Sequence, residues 1–147
     1  IGIVNGYLPV DMNDVWDWTL LDEPAPIWDF SKWQADYVVI NLGQNDYSST
    51  LSDTFTTEYV TLISKIRSKY PNAHIFCTIG PMTASQDATF VKRIADAVKI
   101  VNTYGDSKVY FHALSQDAGI FHPRVAVNEA MANELADFIQ DAVNTAE

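Results

Sequence analysis

Tyr37-Val38-Val39-Ile40-Asn41-Leu42-Gly43-Gln44-Asn45-Asp46 decides the fold. Its first six residues run without the polar alternation of a half-exposed strand, and Gly43 ends them. Such a run predicts a strand buried on both faces, as in a parallel sheet. Outward from it the chain alternates. Asp53 to Tyr70 carries Phe55, Tyr59, Leu62, Ile63, Ile66 and Tyr70 at helical spacing, and Pro71-Asn72 stops it. His74-Ile75-Phe76-Cys77-Thr78-Ile79 predicts a second buried strand, closed by Gly80-Pro81. Residues 87–104 repeat the helical pattern through Phe90, Ile94, Val98, Val101 and Tyr104, with Gly105 at the end. Lys108 to Leu114 predicts a third strand. Pro123 to Val143 predicts the last helix, with Val127, Met131, Leu135, Phe138 and Ala142 on one face.

Residues 1–35 differ from the regular βα units of 36–147. Ile1 to Val4 predicts a short strand, and an irregular, tryptophan-rich excursion follows. The first 31 residues hold six acids and no Lys or Arg. The whole predicts an α/β fold of three layers, a parallel sheet flanked by helices, in one domain. In such sheets ligands bind beyond the carboxyl ends of the strands, so the loops after Leu42, Ile79 and Leu114 matter most.

Composition narrows the function. With 147 residues, 48% apolar and 19% charged, the chain is of single-domain length and not disordered in character. No apolar run nears the roughly 18 residues of a membrane span. A formal net charge of −10 argues against nucleic acid or an anionic membrane as partner. The single cysteine, Cys77, excludes an internal disulfide framework and a Cys-based zinc site. His74, His112 and His122 lack metal-ligand spacing. Asp11, Asn13, Asp14 and Asp17 lack the glycine and terminal glutamate of a calcium loop. No metal and no cofactor are expected. Lys65, Arg67 and Lys69 read as partners of a helix dipole, and Cys77 as an inert core thiol. Trp16, Trp18, Trp28 and Trp33 read mainly as anchors of the excursion, with one or two available to a sugar.

Two positions invite chemistry. Asn45 follows a strand and a tight glycine turn, where its amide N–H is a good oxyanion donor or simply a turn former. His122 precedes a proline that opens a helix, which suits a general base or a capping histidine. Taken together, Tyr37 to Tyr47 (YVVINLGQNDY) and Ile120-Phe121-His122-Pro123 resemble two blocks of the SGNH (GDSL-type) hydrolase superfamily. With the opening IGIVNGY, the text looks most like the acetyl-xylan esterase branch, carbohydrate esterase family two.

The resemblance implies His122 as the base that deprotonates a serine and reprotonates the leaving sugar hydroxyl. It implies Asn45 as side-chain oxyanion donor and Gly2 as a backbone donor to the same oxyanion. Gln44, Asp46 and Phe121, which adjoin those residues, are the expected substrate contacts. The chain departs from the family in two ways. Gly119 stands where the family places an aspartate, three residues before the histidine. Asp117, five before, is either the triad acid or a loop cap, and a Ser-His dyad is the alternative. No Gly-Asp-Ser-like block is present, and Ser48 and Ser49 read as turn residues.

The expectation is therefore the C-terminal part of one hydrolase domain with sheet order 2-1-3-4-5. Ile1 to Val4 would be the tail of the second strand. The central strand and its serine would come from a separate or upstream polypeptide. The implied activity is removal of acetyl or other short acyl groups from oligo- or polysaccharide, outside the cell, as the acidic chain suits. Two alternatives stay open: a non-catalytic carbohydrate-binding or pseudoenzyme subunit, and a lipase, thioesterase or acyltransferase of the same superfamily. A receiver-like domain fits the rhythm but lacks its acidic cluster and late lysine.

Overall fold

The structure, a computed structural model, describes residues 10–20, 23–48 and 52–146. Ile1 to Val4 and Gly2 lie outside them. The first elements are a one-turn helix α1 (Met12–Val15), strands β1 (Trp18–Leu20) and β2 (Glu23–Ile27), and a 3-10 turn at Phe30–Lys32. The regular part follows as β3 (Tyr37–Asn41), α2 (Gln44–Ser48), α3 (Phe55–Lys69), β4 (His74–Ile79), a 3-10 turn at Thr83–Gln86, α4 (Ala88–Thr103), β5 (Val109–Ala113) and α5 (Val125–Ala146).

β3, β4 and β5 form a parallel sheet in that order. The register pairs Ile40 with Cys77 and Cys77 with Phe111. β4 is the middle strand, and Ile75 to Ile79 are all buried. The helices divide between the two faces. Ile40, Ile75, Cys77, Ile79 and Val109 point to one side, into a core with α3 and α4. Those helices contribute Phe55, Tyr59, Leu62, Ile63 and Ile66, and Phe90, Ile94, Ala97, Val98 and Val101. On the other side Phe138 of α5 meets Phe76 edge-on at 6.0 Å and stacks on His112 at 4.6 Å.

Three expectations need correction. β3 is not buried on both faces: among the described residues it pairs only with β4, and Tyr37 and Val39 are 51% and 44% exposed. Both point to the α5 side, where α5 lies against β4 and β5. Tyr104 is not core; it is 89% exposed because it falls just past the end of α4. The excursion is not wholly irregular, since β1 and β2 pair antiparallel as an exposed hairpin.

Arg67 does more than meet a helix dipole. It holds Asp106 with two nitrogens, at 2.7 and 3.1 Å, and donates to the carbonyls of Tyr70 and Ala73. It thus ties the end of α3 to the chain entering β4 and to the turn before β5. Lys65 donates to the Asn13 carbonyl at 2.7 Å, which seats α1 on α3. Trp16, Trp18 and Trp28 line a cavity of about 370 Å³ with Phe30, Val38, Ile66 and Tyr70. Cys77 is buried, and burial pushes its thiol up to about 12, so it stays protonated.

Gly43 sets the turn out of β3. Its φ is +124°, and a Cβ there would lie 3.0 Å from the Phe90 ring. An alanine would add backbone strain and an overpacked contact with a buried ring. Gly43→Ala should therefore cost about 1–3 kcal/mol of unfolding free energy, read as a lower urea midpoint at unchanged slope.

Candidate active site

The carboxyl ends of the three strands share one edge of the sheet. At the end of β3, the Asn41 side chain donates to the Gly80 carbonyl at 3.1 Å, joining the turns after β3 and β4. After Gly43 the chain enters α2, and the Tyr47 N–H returns to the Gly43 carbonyl at 2.9 Å. This turn presents Asn45 with its side chain exposed. Gln44 beside it accepts from the Ala84 N–H at 2.9 Å and donates to the Thr83 hydroxyl at 3.2 Å. Its amide thus braces the 3-10 turn after β4.

The segment from Leu114 to Arg124 carries His122. It is pinned where it leaves β5 and again midway. The Leu114 N–H donates to Ile79 O at 2.9 Å, and the Ala118 N–H to Pro81 O at 2.7 Å. Gly119, with φ +63°, forms an isolated parallel bridge with Met82. These ties return the segment to the turn after β4. His122 then lines a cavity of about 260 Å³ with Asn41, Leu42, Gly43, Gln44, Asn45 and Met82. Asn45 and His122, distant in sequence, thereby face one space.

The other expected residues are placed as follows. Gln44 lines the cavity while bracing the turn, and Asp46 is half-buried on α2. Phe121 is 72% exposed and borders a second cavity of about 590 Å³ with Ala118, His122, Arg124 and Val127. Asp117 accepts from the Gly119 N–H at 2.7 Å. Among the described residues it makes no hydrogen bond to His122. Gly2 is outside the described residues. None of the four tryptophans lines the cavity that Asn45 and His122 share. Among the described residues no group of His, Cys, Asp and Glu is arranged to hold a metal ion. No described helix is long and apolar enough to cross a membrane.

Glu134 is the residue sequence reasoning missed. Its carboxylate accepts from the Ser115 N–H at 2.9 and 3.1 Å and from the Ser115 hydroxyl at 2.7 Å. It also accepts from His112 Nε2 at 2.7 Å and from Gln116 Nε2 at 3.4 Å. The available signal was a lone acid among the apolar positions Met131, Leu135 and Phe138 of the last helix. Burial raises the Glu134 pKa, but the hydrogen bonds from Ser115, His112 and Gln116 outweigh it and hold the carboxyl at about 2.

That depression has a sign. A carboxyl whose folded pKa lies below its ordinary 4.5 stabilises the fold fully above that value. The contribution is lost as pH falls from about 4.5 toward 2. Urea midpoints measured across that window should show Glu134→Gln less stable than the parent at neutral pH, with the gap closing on acidification.

The comparisons with known proteins agree on a family. The model of the GDSL-like lipase/acylhydrolase family matches residues 12–135. The cellulase/esterase CelE of Acetivibrio thermocellus is 40% identical over 123 residues, covering 78% of this chain and 15% of that protein. The acetylxylan esterase / glucomannan deacetylase of Cellvibrio japonicus is 26% identical over 132 residues, covering 85% of this chain and 36% of that protein. A solved family two carbohydrate esterase from Clostridium thermocellum, in complex with cellohexaose, superposes with a TM-score of 0.78 at 36% identity. That match covers 89% of this chain and 43% of the other. The chain thus spans less than half the length of each of these relatives. With the match running from α1 into α5 and taking in both Asn45 and His122, the chain belongs to the GDSL-like lipase/acylhydrolase family.

Proposed function

We propose that this chain supplies the oxyanion donor and the general base of a serine esterase that removes acetyl or other short acyl groups from carbohydrate. The observation that carries the reading is that Asn45 and His122 line one cavity at the carboxyl edge of the sheet. The relatives support the substrate class: one is an acetylxylan esterase / glucomannan deacetylase, and another is solved with cellohexaose. Action on such polymers supports a location outside the cell.

In this reading the serine sits on a strand outside these 147 residues, in a separate or an upstream polypeptide. The open edge of β3, with Tyr37 and Val39 exposed, is where that strand would pair. An apolar edge strand left unpaired invites such addition. His122 takes the serine proton as the hydroxyl attacks the acyl carbonyl, and the Asn45 amide N–H receives the developing oxyanion. The tetrahedral species collapses, the sugar oxygen leaves, and His122 returns the proton to it. Water, deprotonated by His122, then hydrolyses the acyl-serine. Because Asp117 accepts from the Gly119 N–H and, among the described residues, makes no hydrogen bond to His122, the reading takes a Ser-His dyad. Such a dyad is sufficient because the acid of a triad serves mainly to set tautomer and orientation.

The test uses the natural full-length protein and an acetylated oligosaccharide. His122→Ala should lower kcat roughly 100- to 10,000-fold, the range for loss of a general acid-base. Asn45→Ala should lower it about 100- to 1,000-fold, as for loss of one oxyanion donor. Retained activity in both variants would instead support a binding subunit.

A fluorophosphonate label locates the nucleophile. The modified peptide is expected to carry a serine from outside these 147 residues. Labelling of Ser48, Ser49 or Ser115 would overturn the shared-site reading.

A further inference from the structure

The helix that begins just after His122 is weakly anchored by apolar packing. Val127, Met131, Leu135, Phe138 and Ala142 are all only half-buried, and no described side chain of α5 is fully buried. α3 and α4 differ, since each drives a row of side chains into the core. Apolar contact is non-directional, so a half-buried stripe tolerates a slide or a rotation at small cost. Hydrogen bonds, with their narrow distances and angles, do not.

Glu134 supplies the directional contact. From α5 it reaches the end of β5 at His112 and the loop residues Ser115 and Gln116. Phe138, one turn on, stacks on the same His112 ring at 4.6 Å. Two residues of the helix therefore hold one strand residue, by its edge and by its face. Between Val125 and Glu134 the helix runs about 14 Å at 1.5 Å per residue, as a rigid rod. Apart from its junction with α5, where Asn128 donates to the Pro123 and Arg124 carbonyls, the other ties of the His122 segment run from Leu114, Ala118 and Gly119 to the end of β4 and the turn after it. Glu134 lines neither cavity bordered by His122.

We infer that Glu134 is a positioning residue for the candidate base: by holding His112 and Ser115 it sets the register of α5 on β5, and the helix carries that register to His122. The inference rests on the esterase reading of His122.

The experiment measures kcat, KM and thermal midpoint on para-nitrophenyl acetate, in the natural full-length protein. Glu134→Ala should lower kcat roughly 10- to 100-fold with KM within about two-fold, as expected when a catalytic group is misplaced by an ångström or so. Glu134→Gln keeps one oxygen for Ser115 and should recover part of that kcat. Ile139, also half-buried on α5, lies five residues beyond Glu134; Ile139→Ala trims apolar burial of the same helix and should lower the midpoint while leaving kcat unchanged. The inference is overturned if Glu134→Ala keeps the parent kcat while His122→Ala abolishes it. It is equally overturned if Glu134→Ala and Ile139→Ala lose kcat in proportion to their lost stability. Should His122→Ala itself stay active, the esterase reading fails and this inference fails with it. If Glu134→Ala does not fold, Ser115→Ala removes the hydroxyl's bonds to Glu134 and Gln116 but keeps the Ser115 N–H on Glu134, and should give a smaller loss confined to kcat; an unchanged kcat there is fatal.

Discussion

β4 is the constraint on which the rest depends. From Ile75 to Ile79 its side chains are buried on both faces, so its backbone polar groups have no water to turn to. Each one left unpaired would cost about 1–3 kcal/mol. β3 and β5 therefore lie on either side of it, parallel and in register. The Thr78 hydroxyl, fully buried within β4, donates to the Ile40 carbonyl. Because all three strands run the same way, the turns after Asn41, Ile79 and Ala113 emerge at one edge. The juxtaposition of Asn45 and His122 follows from that parallelism.

The turns at that edge brace one another. Asn41 binds the Gly80 carbonyl, Gln44 grips residues 83 and 84, and Ala118 binds the Pro81 carbonyl. The turn after β4, which contributes Met82 to the cavity, is thus the hinge between the asparagine side and the histidine side. Gly43 and Gly80 permit it with positive φ and no side chain. A Cβ on Gly80 would sit 2.9 Å from the Leu114 Cβ, so the approach of the β4 and β5 turns requires glycine there.

The two faces of the sheet are unequal. α3 and α4 bury a continuous core against one face, and Arg67 staples the end of that layer to the chain entering β4 and to Asp106. The other face has α5 alone, lying over β4 and β5 and leaving Tyr37 and Val39 of β3 exposed. Where apolar burial is thin, polar contacts take over the specification of geometry. Glu134 with His112 and Ser115 does for α5 what Phe55, Tyr59 and Leu62 do for α3.

Periodicity made the regular elements legible. Apolar runs marked β3, β4 and β5, helical spacing marked α3, α4 and α5, and a glycine or proline ended most of them, because backbone geometry and water exclusion act over a few residues. The motif text around Asn45 and His122 was legible for the same reason, since a turn glycine acts locally, although α5 begins at Val125, two residues past the proline expected to open it. The end of α4 was misjudged at Tyr104, where periodicity continues one residue beyond the helix. Three-dimensional arrangement alone decided the rest. Only the folded sheet shows that β3 is half open, that Gln44 binds residues 83 and 84, that Asp117 turns to Gly119, and that Glu134 meets Ser115 and His112. Each of these joins groups whose meeting depends on how layers pack or how an irregular segment closes, which no local pattern of residues encodes.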